Sequence, residues 1–457
     1  MIMSEEENPL MKIDGPAAEP EALEPDEKLS KSNKSANSNP KWRYLMLALA
    51  CSTNIGIGYS ADMISGIETQ LEEGAFSLTS TQYTSLYSLL YAPSIIFPIF
   101  GGILSDKLGA NYCLLMFCVL GMIGQAITTY SLYCYSYALL LIGRLFLSVM
   151  DLILLSQYSI VSHWFDRSQA GFPFAMIVVV GRAATVSNAF FTPLIYSRTQ
   201  VLWYPGAVGL VLCVCSLIAA ILLVIFDAPP QNTAQDKSND AESEGFFAGI
   251  KSLKRIAWIV FINITVSQST FLCFMNQAND HLYQVFGFTN EEAGRIVMVV
   301  YIMGIIFIPL VGKLVDRYGK RPIFAIFGMI FLTVSQAIFL CFSNEQNKSI
   351  AIMAMVFIGA YYFLYAGSVW PIVPMVVEKK HTGVALGAVN SMLHLGLVVL
   401  CTSLGGVRDK TSEIQDGYFY FEAVLLTTAV VGLITTIWVY FEDRLKFSSH
   451  LMDACKK

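Results

Sequence analysis

Runs of about 20 mostly apolar residues recur along nearly the whole chain, separated by short polar breaks. A run of that length crosses a bilayer as a helix rising about 1.5 Å per residue. Twelve such spans are expected, at 44–65, 83–105, 112–131, 137–164, 171–196, 201–226, 256–280, 294–312, 321–342, 350–374, 382–404 and 418–440. Barrel strands would alternate apolar and polar residues over about ten positions, and these unbroken runs do not. The pattern predicts an all-α membrane protein of twelve transmembrane helices. The longest internal polar stretch, 227–255, divides the spans six and six. The expected organisation is an acidic disordered tail over 1–41, six-helix bundles over 42–226 and 256–441 joined by that central loop, and a short tail over 442–457. No apolar stretch precedes Lys41, so the first span is expected to serve as the membrane signal in place of a cleaved leader.

Composition agrees. The 457 residues are 55% hydrophobic and only 14% charged, with a mean hydropathy of +0.57, which is more apolar surface than a water-soluble core can use. The net charge of −5 gives no clustered basic face for nucleic acid. The ten cysteines lie singly, mostly inside spans, with no metal-ligand spacing and only Cys134 clearly in an external loop, and most are expected to be packing residues. No zinc pair, nucleophile elbow or aspartate pair across spans suggests an enzyme, and no cofactor is expected.

Basic residues set an orientation. Lys41 and Arg43, Lys107, Arg167, Lys251 with Lys254 and Arg255, Arg317 with Lys320 and Arg321, and Lys379 with Lys380 fall on one side, which is expected to be the cytosol together with both termini. Arg198, Arg408 and Lys410 are exceptions on the other side. That topology puts the sequon Asn347-Lys348-Ser349 outside the cytosol, as an N-glycan acceptor. In the first tail, Glu6, Leu10 and Met11 form an acidic dileucine-like pattern with Met in place of the second aliphatic residue, pointing to an endosomal or lysosomal membrane, with the plasma membrane as the alternative.

Charges inside apolar spans carry most of the functional information. Asp151 lies about halfway along the fourth span and Arg182 about halfway along the fifth, each costing roughly 2.5–3.5 kcal/mol at the bilayer centre. Seven residues make almost two turns, so Arg144, Asp151 and Tyr158 are expected on one stripe facing a wet cavity. A carboxylate on one helix and a guanidinium on its neighbour suit a zwitterion, Asp151 for an ammonium group and Arg182 for a carboxylate. The competing reading is a fixed strut in which Asp151 pairs with Arg182 or Arg144.

In the second half the corresponding places hold His394 and the pair Tyr361 and Tyr362. Tyr362, Asn390, His394 and Trp370 are candidate cavity residues. His394 either senses pH or is a satisfied neutral hydrogen-bonder. Trp370-Pro371 predicts a kink in the tenth span. Asp62, Asn276, Asn279, Asp280 and His281 end spans, where they form an outer mouth or simply cap helices. Gly383 and Gly387, with Gly171 and Ala175 at the matching offset, make small-residue faces for close helix contact.

The halves also repeat. The stretch from Gly102 through Asp106 and Lys107 to Gly109 matches Gly312 through Asp316 and Arg317 to Gly319, 210 positions later, and the second copy ends on Arg321 where the first has Asn111. This pattern resembles the signature of the major facilitator superfamily. The resemblance implies a major facilitator fold whose Gly allows close helix approach and whose Asp and Arg or Lys latch the cytosolic ends. Arg144 is similar to the arginine of that superfamily's fourth-helix motif, tied to proton coupling or helix anchoring.

Arg144-Leu145-Phe146, the stretch Gln157 to Phe165, Gly181-Arg182, Trp370 to Val373, Gly383 to Gly387 and His394 to Leu397 look like the major facilitator superfamily domain-containing protein 1 family. That likeness implies lysosomal export of dipeptides by uniport, with a glycosylated accessory membrane protein as partner. It also implies ligand contact at Asp151 and Arg182, although the family has Glu where this chain has the shorter Asp151. Proton-coupled symport of an organic anion or amino acid, or a non-transporting nutrient sensor, are the alternatives.

Overall fold

A computed structural model describes residues 40–74, 76–97, 104, 108–165, 171–227, 250–251, 253–342, 347–377, 381–411 and 417–446. Its regular elements are all helical. Ten helices are long and apolar enough to span a membrane, and they coincide with the third to twelfth expected spans. They are α5 (Ala110–Cys134), α6 with α7 (Tyr137–Leu147, Met150–Trp164), α8 (Gly171–Thr199), α9 (Trp203–Phe226), α10 (Arg255–Phe286), α11 (Asn290–Tyr318), α12 (Arg321–Cys341), α13 (Lys348–Val369), α14 (Thr382–Thr411) and α15 (Gly417–Lys446).

The first two spans are helical in pieces. The first comprises α1 (Pro40–Ser52), α2 (Ile55–Asp62) and a 3-10 turn (Met63–Ile67), and the short α3 (Glu68–Glu72) follows beyond its end. Its break has a cause in hydroxyl chemistry. Ser52 and Thr53 each donate back to a carbonyl of the preceding turn, at Ala48 and Ala50. Ser216 of α9 spans the gap, accepting from Gly56 N at 2.9 Å and donating to Ser52 O at 3.0 Å. Backbone groups freed inside a membrane need such a partner. The second span, α4 (Ser80–Tyr91), starts at a Thr79–Gln82 capping box and passes into a 3-10 turn at Pro93. The tenth also breaks as its proline demands, α13 ending at Val369 and a 3-10 turn running Trp370–Met375.

The sequence repeat is visible in the packing. Across the interface between the halves, α4 lies on α14 and α8 on α11, so the second span meets the eleventh and the fifth meets the eighth. The α4–α14 approach is close enough that a Cβ on Gly405 would meet Thr84 Oγ1 and the Ser80 carbonyl. Both signature copies end on a glycine with positive φ, Gly109 at 84° and Gly319 at 69°. Gly102, Asp106 and Lys107 lie outside the described residues. Among the described residues a Cβ on Gly312 would meet nothing within 4 Å, so none of them approaches this glycine closely. Arg317 lies against the Tyr318 ring, Asp316 is inside α11, and Arg321 begins α12 almost fully buried.

Candidate solute-binding site and the closed far end

Arg182 sits in the middle of α8, half-buried, and among the described residues its guanidinium makes no ion pair or hydrogen bond. What faces it is aromatic. Its central carbon is 6.0 Å from the Tyr362 ring centroid on α13, across the interface between the halves. Tyr362 is held there by stacking on Phe271, with centroids 4.8 Å apart, and by an edge contact to Tyr301. Space for the ring comes from Gly304, where an added Cβ would come within 2.2 Å of Tyr362 Cε1.

One turn along the same face of α8, Thr185 donates to Asp62 at 2.9 Å. Asp62 ends α2 where the first span turns 3-10. It therefore belongs to the centre, within electrostatic reach of Arg182, and not only to a span end.

Asp151 meets neither arginine. Its Oδ2 is 3.3 Å from His394 Nε2, a contact between the fourth span of one half and the eleventh of the other. The angle is not that of a hydrogen bond, since Oδ2 accepts none among the described residues. On the other edge of the ring, His394 Nδ1 lies 2.9 Å from the Asn390 carbonyl. A nitrogen facing a carbonyl must carry hydrogen, so the neutral ring would aim a lone pair at Asp151. This contact between the halves replaces the expected strut to Arg182 or Arg144.

Arg144 departs from the expected stripe. The fourth span bends between Leu147 and Met150, and Arg144 is 0% exposed. Its guanidinium donates to Ala61 O at 2.8 Å, Ser60 O at 3.3 Å and Leu86 O at 3.4 Å, and lies over the Tyr87 ring. It clamps α6 onto α2 and α4, with no face toward an open cavity. The correction has a simple origin, because helical periodicity carries only as far as the helix is continuous.

Of the remaining candidates, Tyr158 is half-buried on α7, Trp370 opens the 3-10 turn after α13 and packs on the core, and Asn390 serves through its carbonyl. Asn347 is the N-cap of α13, its side chain accepting from Ser349 N and Ile350 N, at the same end as Glu292 and Lys348. Glu6, Leu10 and Met11 lie outside the described residues. Cys215 and Cys341 are exposed along with Cys134, so not every thiol packs inside.

The most densely paired polar group was expected only in part, through Asp280 at the outer mouth. At the end of the bundle opposite the termini, Arg408 of α14 reaches Glu68 at 2.9 Å, Glu72 at 2.8 Å, Asp280 of α10 at 3.1 Å and Gln277 at 3.1 Å. Asp280 also accepts from Thr69 at 2.6 Å and from the Tyr418 hydroxyl. Nearby, Asp409 takes the amides of Ser80 and Thr81, Gln284 donates to Glu73, and Ser197 donates to Glu291. These polar pairs between the halves run from the Asp151–His394 contact to this far end. Sequence reading met Arg408 only as an exception to the charge pattern; its partners Glu68 and Glu72 are 340 and 336 positions away.

Comparison with known proteins agrees with this architecture. The family model described as Major Facilitator Superfamily matches residues 45–400. A human protein, the lysosomal dipeptide transporter MFSD1, is 23% identical over 413 residues, covering 88% of this chain and 86% of its own. Its zebrafish (Danio rerio) counterpart is also 23% identical, over 415 residues and 88% of each chain. Among solved structures, the nucleoside transporter NupG superposes with a TM-score of 0.65 at 16% identity, over 88% of this chain and all of NupG. A D-xylose–proton symporter superposes with a TM-score of 0.67 at 15% identity, over 87% of this chain and 97% of its own. The chain belongs to the Major Facilitator Superfamily, whose members are membrane transporters and not enzymes.

Proposed function

We propose that this transporter carries small zwitterionic solutes, dipeptides first among them, by alternating access. The observation that carries the proposal is Arg182, a half-buried arginine at the centre with no ionic or hydrogen-bonding partner among the described residues. A buried guanidinium retained without an anion is poised for one, and a ligand carboxylate matches its two parallel donors. Asp151 supplies the opposite pole. A ligand ammonium brings both hydrogens and positive charge, so it replaces His394 at the carboxylate and loosens the contact between the halves. Tyr362 forms the aromatic wall between the poles. The dipeptide substrate of the human relative supports the same class.

The same relatives support residence in a lysosomal membrane. The basic-residue pattern supports cytosolic termini, which turns the Arg408 end toward the lumen. Uniport, an N-glycan on Asn347 and a glycosylated single-span accessory protein complete the reading. The test is uptake of radiolabelled dipeptides and single amino acids into proteoliposomes. Arg182→Ala is expected to lower dipeptide flux at least about thirtyfold, for roughly 2 kcal/mol of lost charged hydrogen bonding, while the protein folds. Flux at the unaltered rate in Arg182→Ala and in Asp151→Asn would remove the reading.

A second reading, proton symport, is favoured by the carboxylate–imidazole contact that Asp151 and His394 make between the halves. Flux that follows an imposed pH gradient, and no longer does so in His394→Asn, would select it.

A further inference from the structure

The far end holds more negative charge than it neutralises. One carboxylate oxygen from each of Glu68, Glu72 and Asp280 lies within 4.8 Å of the others, and Arg408 is the guanidinium among them. Fully ionised, one positive and three negative charges leave a net of −2. Glu68 and Asp280 are 0% exposed, so water does not screen that excess. Glu68 Oε2 and Glu72 Oε1 are buried and accept no hydrogen bond among the described residues, although Glu68 Oε1 and Glu72 Oε2 are held by Arg408. An empty buried carboxylate oxygen beside another carboxylate is where a proton binds.

The elements packed against this cluster supply no further cation to it. On α10 and α15, His281 Nε2 and Glu422 Oε1 lie 3.4 Å apart, both side chains 0% exposed, and one proton between them leaves that pair neutral. Tyr418 separates the pair from the cluster, its ring against His281 and its hydroxyl on Asp280. From α4 comes the Tyr83 hydroxyl, which donates to the Asn276 carbonyl. Asp409 is turned onto the amides of α4, and Lys410 is exposed.

We propose that the cluster is a proton-binding latch, in which the far end closes only when the Glu68–Glu72 pair holds a proton. The proposal rests on the alternating-access reading for its meaning, though not for its test. Glu68 and Glu72 lie past Ser65, where the apolar run of the first span ends. Burial, with Asp280 adding to it and Arg408 opposing it, pushes the Glu72 carboxyl up to about 7. Burial first, then the Asp280 charge, holds Glu68 well above the usual carboxylate range.

In the open end both carboxyls return to water and to ordinary values near 4.3. The closed state therefore binds more protons. Closure is fully favoured below the ordinary carboxylate value and is lost as pH rises through about 7. Each proton taken up makes the closed-to-open ratio fall by up to about tenfold per pH unit in that window.

The test reads the distance across the closure directly. Spin labels are placed at Ser77→Cys and Lys410→Cys, both exposed, after exposed Cys134, Cys215 and Cys341 are changed to serine. Pulsed electron resonance on the purified full chain is expected to show one short distance at pH 5 and a growing longer component toward pH 8. Glu68→Gln with Glu72→Gln, which imitates the protonated pair, is expected to stay short at pH 8. If that double variant fails to fold, Glu72→Gln alone is expected to lower the midpoint slope of the transition. A distance unchanged from pH 5 to pH 8 in the unaltered pair would overturn the latch. So would a full pH response retained in the glutamine variants. Absence of dipeptide flux would leave these distances unaffected, so failure of the solute assignment is told apart from failure of the latch.

Discussion

The membrane centre and the far end hold similar side chains in opposite condition. At the centre, Arg182 faces the Tyr362 ring, with Asp62 in electrostatic reach but no ion pair or hydrogen bond among the described residues, and Asp151 has one poorly angled histidine. At the far end, Arg408 has four oxygen acceptors from two helical elements, α3 and α10. Arg144 shows that this difference is not a matter of depth, because it too lies in the membrane and is saturated, by backbone carbonyls. Burial alone therefore does not identify a binding group. An arginine whose donors are spent on the protein holds helices together, and one whose donors are idle waits for something else.

Three substitutions bear on that contrast beyond the tests above. The largest effect is expected at the saturated arginine. Arg144→Leu strips donors from the Ser60, Ala61 and Leu86 carbonyls, at about 1–3 kcal/mol for each buried acceptor left unsatisfied. Thermal unfolding in detergent is expected to move down by several degrees, with the KM of the surviving protein little changed. A normal melting curve with abolished flux would instead make Arg144 a ligand group.

Gly304→Ala is expected to act in the opposite sense. Its methyl enters the Tyr362 ring position, so the wall of the site shifts while the helices stay packed. KM for the solute is expected to rise about tenfold, a loss of roughly 1.4 kcal/mol, with folding retained. A KM equal to that of the unaltered protein would remove Tyr362 from the site.

The smallest effect is expected at Lys348→Ala. Lys348 and Glu292 pair at 2.9 Å in water, both largely exposed. Glu292 is held below the usual carboxylate range by the Thr289 amide first and by Lys348 after it, so the helix cap keeps most of the interaction. No measurable change in melting temperature is expected, as for most exposed pairs. A clear drop would show that this pair, unlike most exposed ones, helps to fix α13 against α11 within the second half.

The sequence was legible where the physics is local. Apolar run length locates the ten long helices, Pro371 marks the end of α13, and matching glycines mark the two signature turns. Arg182 and Asp151 are conspicuous because charge is rare in such runs. The break in the first span was not legible, since Ser52 and Thr53 bend it only with Ser216 there to take up the freed groups. The Arg408 cluster was hidden for a related reason: its acceptors come from α3 and α10, and no periodicity within one helix brings them together. Asp62 reads as a span end until the 3-10 turn after it places the first span against Thr185.

The order in which the chain is made gives the Arg144 clamp another consequence. Its three acceptor carbonyls precede it by 58, 83 and 84 positions, so they are already in the membrane when α6 enters. Arg144 finds its partners at once, and the first half has an internal reason to assemble during synthesis. Asp151, seven positions later, has its partner at His394, 394 − 151 = 243 residues further on. At about 5–20 residues per second, that carboxylate waits roughly 12–50 s for its histidine. A ribosome stalled between the halves therefore leaves a first half whose Asp151, Glu68 and Glu72 still wait for partners that the second half supplies.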